Sequence, residues 1–191
     1  MSALRIHKPY EAYFMTFTTV GWVDIFSRKA CKDILLESLA YCQEHKGLIV
    51  YAYVIMSNHV HLIAQAKAPT RLGDIMRDYK KYTSKALVQF LKTNKESRRN
   101  WMYPLLKSYA NKTPGKKNIA VWQAGNHPKE LYSPPFIEQK LNYVHINPVR
   151  AGYVVRAEHY VYSSASNYVL GRGILDVNII EPMSGIGFVG I

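Results

Sequence analysis

Residues 48–65 read Leu48-Ile49-Val50-Tyr51-Ala52-Tyr53-Val54-Ile55-Met56-Ser57-Asn58-His59-Val60-His61-Leu62-Ile63-Ala64-Gln65. Two apolar runs rich in β-branched and aromatic residues, 48–56 and 59–65, flank the two-residue connection Ser57-Asn58. A connection of that length suits a tight hairpin, and asparagine tolerates positive φ, so the stretch predicts two antiparallel strands. The uncharged run from Gly47 to Ala66 has the length of a membrane span. Ser57, Asn58, His59 and His61 break it near its middle, which favours two buried strands and no membrane partner.

Outward from this hairpin the pattern alternates. Upstream, Ile34, Leu35, Leu39 and Cys42 recur at helical spacing between Ser27, a plausible N-cap, and Gly47, a plausible C-terminal glycine. Before that helix, residues 13–23 are β-branched and aromatic and read as a strand. Downstream, Thr70 can cap a helix over residues 71–92 that buries Leu72, Ile75, Met76, Tyr79, Tyr82, Ala86 and Phe90. Residues 93–118 are dominated by Lys, Arg, Asn, Ser and Pro and read as a basic insertion loop with at most a helical turn near 102–109. Residues 119–123 offer a short last strand.

The order β-α-β-β-α-β predicts an α+β, ferredoxin-like antiparallel sheet with helices on one face and the other face open for a site. An added C-terminal helix follows: Ser133-Pro134-Pro135 starts it and Asn147-Pro148 stops it, giving residues 134–146. Residues 1–170 then form one domain, and residues 171–191 a glycine-punctuated tail.

Lys and Arg number 25 against 13 Asp and Glu, a formal net charge of +12, which favours a polyanionic partner. Fifteen tyrosines among these cations suit stacking on unpaired bases, although many tyrosines serve as core or strand residues. Cys31 and Cys42 have neither zinc-knuckle nor disulfide spacing, and the N-terminus lacks the apolar segment of a secretory signal. A reducing, cytoplasmic setting is expected.

His59 and His61 are two apart on a strand, so both imidazoles share a face and can converge on a divalent metal. Two ordinary, partly buried histidines would give the same pattern. On the 134–146 helix, Ile137, Leu141 and Val144 form the apolar stripe, whereas Gln139, Tyr143 and Asn147 form a separate polar line. Tyr143 can act as a nucleophile toward phosphorus, and Asn147 can present an amide oxygen as a third metal ligand. A tyrosine hydrogen-bonded at a helix–sheet boundary, and an Asn-Pro helix stop, are the structural alternatives. His127 and His145 read as loop or helix-end residues, with a lesser case for His145 in the site. Basic residues proposed to contact DNA are Lys80, Lys81, Arg98, Arg99, Lys116, Lys117 and Arg150.

Residues 53–63 closely resemble the His-hydrophobic-His (HUH) segment of single-tyrosine transposases. Residues 141–152, Leu141-Asn142-Tyr143-Val144-His145-Ile146-Asn147-Pro148-Val149-Arg150-Ala151-Gly152, resemble their tyrosine helix. The likeness is greatest to REP-associated tyrosine transposases, in which this segment ends in Asn-Pro-Val and a basic residue. Val121-Trp122-Gln123 and Tyr162-Ser163-Ser164-Ala165 also look like family features. Compact members of the wider family often carry glutamine four residues after the tyrosine, where this chain has Asn147.

The resemblance implies that His59, His61 and Asn147 hold magnesium or manganese and that Tyr143 forms a 5′-phosphotyrosine with single-stranded DNA near a hairpin. It is compatible with a monomer or a homodimer. Two rivals remain open from sequence: a non-catalytic single-strand-binding module, and a metal-dependent hydrolase that uses His59 and His61 with His145 or His127.

Overall fold

The computed structural model describes residues 6–93, 97–111 and 119–181. In chain order the elements are β1 (Tyr13–Thr18), α1 (Lys29–Lys46), β2 (Leu48–Ile55), β3 (His59–Ala66), α2 (Leu72–Thr93) and α3 (Arg99–Asn111), then β4 (Lys129–Glu130), α4 (Pro134–Arg150) and α5 (Ala165–Leu170). Single 3-10 turns occupy Val20–Trp22, Ile25–Ser27 and Ala157–His159. The sheet is antiparallel in the order β2-β3-β1-β4, the ferredoxin-like arrangement expected.

Period-two alternation sorts the strand side chains onto two faces. Met15, Phe17, Tyr53, Ile55, Val60 and Leu62 pack with Leu35 and Leu39 of α1 and Leu72, Ile75, Met76 and Tyr79 of α2. Burying each such side chain contributes about 1.5–3 kcal/mol, so this layer carries most of the core. The opposite face presents Phe14, Ala52, Val54 and Ile63, which pack with Leu141 and Val144 of α4 and with Tyr160. That face is therefore largely roofed by α4 rather than open.

The expected hairpin forms across Ser57-Asn58, with Ile55 opposite Val60 and the Met56 amide donating to the His59 carbonyl at 2.9 Å. Asn58 does not use positive φ there; among the described non-glycine residues only Trp22 and His127 do. Its role is hydrogen bonding, since its carbonyl accepts from the Thr19 amide at 2.9 Å and its Nδ2 donates to the Trp22 carbonyl at 3.2 Å. Gly47 does end α1 in the left-handed region, at φ 70. The helix begins one residue later than expected, with Arg28 rather than Ser27 at the N-cap.

Three expectations need correction. Residues 99–111 of the anticipated basic loop form α3, whose Met102, Leu106 and Ala110 are buried in the main core. The apolar i, i+4, i+8 spacing is real but diluted by basic neighbours. Residues 119–123 make only an isolated bridge, Trp122 to Thr19, and the fourth strand is Lys129–Glu130, paired with Tyr13 and Phe14. Between them lie Gly125, His127 at φ 43, and Pro128, which has no amide proton for the ladder.

The third correction is that α4 runs to Arg150, through Pro148. In the final turn a proline removes only one ladder hydrogen bond, and here its ring is buried. Beyond Gly171 the described tail is packed: Leu175 joins the core and the Asn178 amide donates to the Val50 carbonyl at 2.8 Å, along the edge strand β2. Cys31 and Cys42 are buried and form no disulfide with each other.

Candidate active site

The register of β1 against β3 places Thr16 opposite His61 and Thr18 opposite His59, all on the α4 side of the sheet. The two imidazole centroids are 4.8 Å apart. Each ring is held through Nδ1. For His59 the partner is Asn58 Oδ1 at 2.7 Å, and because Asn58 Nδ2 already faces a carbonyl, this oxygen accepts and His59 Nδ1 is the donor. For His61 the partner is the Thr16 hydroxyl at 2.9 Å, which can accept from Nδ1 in the tautomer that leaves Nε2 bare.

Both rings therefore have an Nε2 available as a lone-pair donor. His61 Nε2 is buried and has no hydrogen-bond partner, which an ordinary core histidine would avoid. Burial lowers the His59 pKa, partly offset by a side-chain hydrogen bond with Asn147. Burial pushes His61 down to about 3, assisted by the charges of His59 and Lys140. Both imidazoles are thus neutral at physiological pH, the state that binds a metal. The unpartnered His61 Nε2, with His59 and the Asn147 amide hydrogen-bonded beside it, makes a donor set that fits a divalent cation. Among the described residues no group of three or more His, Cys, Asp and Glu side chains is gathered to serve instead.

Tyr143 enters from α4. Leu141 and Val144 bury the helix against the sheet, which leaves Tyr143 on the flank, 38% exposed. Its ring lies edge-on to His61 of the same chain, centroids 5.0 Å apart, and edge-on to Phe14 at 5.8 Å. Asn147, one turn on, donates through Nδ2 to the Tyr143 carbonyl at 3.2 Å, which turns its amide along the helix toward His59. The structure brings His59, His61, Tyr143 and Asn147 together, and a groove lined by Gln139, Lys140, Asn142, Tyr143, Ile146 and Arg150 opens beside them.

His145 faces the other way. It is buried, its Nε2 lies 2.9 Å from Ser164 Oγ, and Ser164 Oγ accepts from the Tyr53 amide at 2.9 Å, so the histidine fastens α4 to β2. His127 occupies the break before β4.

The basic residues singled out in the sequence divide. Lys80 Nζ donates to the carbonyls of Gln123 and Gly125 and to Asn126 Oδ1 at 2.8–3.1 Å, supplying the donors that the broken fourth strand lacks. Arg98 donates to the Asp24 carbonyl at 3.1 Å and approaches its carboxylate at 3.5 Å. Arg99 donates to the Lys92 carbonyl at 2.9 Å. Lys81 is exposed on α2, and Arg150 is exposed in the groove beside Tyr143. Lys116 and Lys117 lie outside the described residues.

Sequence reading assigned no role to Thr16, Phe14 or Lys140, which surround the site. The period-two register against the histidines could have flagged Thr16 and Phe14. The i−3 spacing from Tyr143 could have flagged Lys140.

A family model described as "Transposase IS200 like" matches residues 13–124, more than half of the chain. The match contains both histidines and ends before α4. Among solved structures, a REP-associated tyrosine transposase bound to a REP hairpin aligns with a TM-score of 0.65. It is 17% identical, over 95% of this chain and 96% of the other, a likeness of fold. A Deinococcus radiodurans protein provisionally assigned as a transposase is 19% identical over 76% of this chain and 98% of its own, with a TM-score of 0.42. Among curated proteins none matches.

Proposed function

Because the chain belongs to the IS200-like transposase family, we propose that it cuts and rejoins single-stranded DNA beside a hairpin, through a 5′-phosphotyrosine on Tyr143. The observation that carries this reading is the Tyr143 ring standing 5.0 Å from the ring of His61, whose bare Nε2 faces no protein partner. Support for a hairpin substrate is that the solved transposase with the same fold was captured on one.

In the first step Tyr143 Oη bonds to phosphorus and the phosphorus–O3′ bond breaks. The phenol gives up a proton and the departing 3′-oxygen gains one. Rejoining reverses the exchange with a different 3′-hydroxyl, and because the phosphoester energy is kept in the tyrosine linkage, no nucleotide is consumed. Magnesium or manganese bound by His59, His61 and Asn147 would neutralise phosphate charge and polarise phosphorus. Leu141 and Val144 bury the helix on the sheet so that Tyr143 is presented over the central strands, beside His61 and Phe14. Thr16 and Asn58 engage Nδ1 of the two imidazoles and so leave Nε2 as the nitrogen that can serve a metal. Lys81 and Arg150 are the exposed cations of the proposed set for contacting DNA phosphates, while Lys80 and Arg98 are engaged within the protein.

The test is a denaturing gel after incubation with labelled single-stranded hairpin DNAs from either side of the gene, with manganese or with chelator. A metal-dependent covalent band is expected from the wild type and none from Tyr143→Phe, which should still bind hairpins. Cleavage that survives Tyr143→Phe and leaves no protein–DNA bond would indicate a hydrolase. Metal-independent retention with no covalent band at all would indicate a binding module.

A further inference from the structure

Lys140 lies one helical turn before Tyr143, and its ammonium is cradled by three aromatic rings. Nζ is 5.0 Å from the Phe136 centroid, 5.5 Å from Phe14 and 5.8 Å from Tyr143. Two of these rings belong to the site itself, since Phe14 stacks on His61 at 5.4 Å and Tyr143 meets the same imidazole edge-on. The lysine is close enough for its charge to disfavour protonation of His61.

No carboxylate among the described residues pairs with Lys140. Partial burial lowers its pKa first of all, and the positive charge of Lys129 of β4 lowers it further. Glu130, the carboxylate next to Lys129 in sequence, is taken by Lys8 at 2.6 Å. A surface lysine of ordinary structural use either extends into water or finds an acid. This one is drawn over aromatic faces, where cation–π attraction fixes its place without neutralising it. Its ammonium is left as a positioned, uncompensated charge on the wall of the Tyr143 groove.

We infer that Lys140 binds the scissile phosphate of single-stranded DNA, placing a non-bridging oxygen against the cradled ammonium while Tyr143 addresses the phosphorus. A phosphate brought to Tyr143 and the histidines comes within reach of Nζ, because the same rings line both. Charge builds on the non-bridging oxygens as the tyrosine adds, so a fixed cation there favours the transition state over the bound ground state. The aromatic cradle supplies the preorganisation that a freely rotating lysine lacks. Lys140 is then a substrate-contacting residue of the transposase chemistry proposed above, on which this inference rests.

The experiment has a binding arm that needs no chemistry and a rate arm that does. In chelator, on the Tyr143→Phe background, hairpins are compared in which each backbone phosphate in turn is replaced by a neutral methylphosphonate. With Lys140 present, neutralising one phosphate should weaken binding about tenfold. In Lys140→Gln the unmodified hairpin should already be weaker by about that factor, and the same replacement should cost nothing more. With Tyr143 intact and manganese present, Lys140→Gln should slow adduct formation about a hundredfold at saturating DNA, Lys140→Arg should recover much of the rate, and both should melt as wild type.

Methylphosphonates that cost the same with and without Lys140, or a Lys140→Gln adduct rate equal to wild type, would overturn the assignment. If wild type forms no adduct on any hairpin, the transposase reading fails instead, and the binding arm still decides whether Lys140 meets a particular phosphate.

Discussion

Thr16 and Asn58 engage Nδ1 of the two histidines that lie beside Tyr143 and so leave Nε2 as the nitrogen that can serve a metal. Neither is placed to hold a metal in the proposed scheme, yet each occupies the Nδ1 of a ring, Thr16 at 2.9 Å and Asn58 at 2.7 Å. Such outer partners typically matter by ten- to a hundredfold in metal affinity, about 1.4–2.7 kcal/mol, because without them the ring rotates or takes the other tautomer. Thr16→Val keeps the shape of the side chain and deletes the hydroxyl. It should weaken manganese binding about tenfold or more, read from the free-ion signal by electron paramagnetic resonance. Thr16→Ser should restore it, and Tyr143→Phe should bind manganese as wild type does. Equal affinity in Thr16→Val and wild type would mean that packing between Phe14 and Tyr143, not the hydroxyl, holds His61 in place.

At the scale of elements, the parts legible in the sequence were those whose signal is local. The β2–β3 hairpin, α1 ending at Gly47, and the polar line of Gln139, Tyr143 and Asn147 all follow from periodicity and turn residues close in the chain. The fourth strand did not, because its break at residues 125–128 is made tolerable by Lys80, which reaches from α2 to the stranded carbonyls. That contact spans more than forty residues, and from sequence Lys80 is one basic residue among many. Lys140 is inconspicuous in the sequence for a related reason: its distinction is the aromatic cradle, which exists only once β1 and α4 meet.

The segment before β4 is also tied to α2 by Trp122, whose Nε1 donates to Thr83 Oγ1 at 3.0 Å while that hydroxyl donates to the Tyr79 carbonyl at 2.7 Å. Thr83 and Trp122 are both buried, so Thr83→Val leaves an indole N–H without a partner. The expected cost is about 1–3 kcal/mol, measured as a lower urea midpoint at unchanged slope. A midpoint equal to wild type's would show that water reaches the indole and replaces the hydroxyl.

At the scale of the whole molecule, charge and connectivity make separate predictions. The net charge of +12 implies that hairpin affinity falls steeply with salt. If roughly six phosphates are contacted, the slope of log K against log salt should be about −4 to −5 on a single strand, and Lys140→Gln should reduce its magnitude by a little under one. A slope near zero would mean that stacking and shape, rather than phosphate contacts, dominate binding.

Connectivity bears on how many chains make one site. In this structure Tyr143 reaches His61 of its own chain, and the helix that carries it is buried through Leu141 and Val144 and fastened toward its C-terminal end. His145 bonds Ser164, which bonds the β2 backbone, and beyond the helix the Tyr153 hydroxyl donates to Ser57 Oγ at 3.1 Å, next to the histidine hairpin. For α4 to serve a neighbouring chain, these contacts and the burial of Leu141 and Val144 would all have to be released and remade. Mixing Tyr143→Phe with His61→Ala should therefore give no covalent adduct, although each variant lacks what the other has. Adduct recovered in the mixture would require helices exchanged between subunits. The hydrogen bonds of His145 and Tyr153 would then be broken in the working state, and His145→Phe would be expected to speed the exchange.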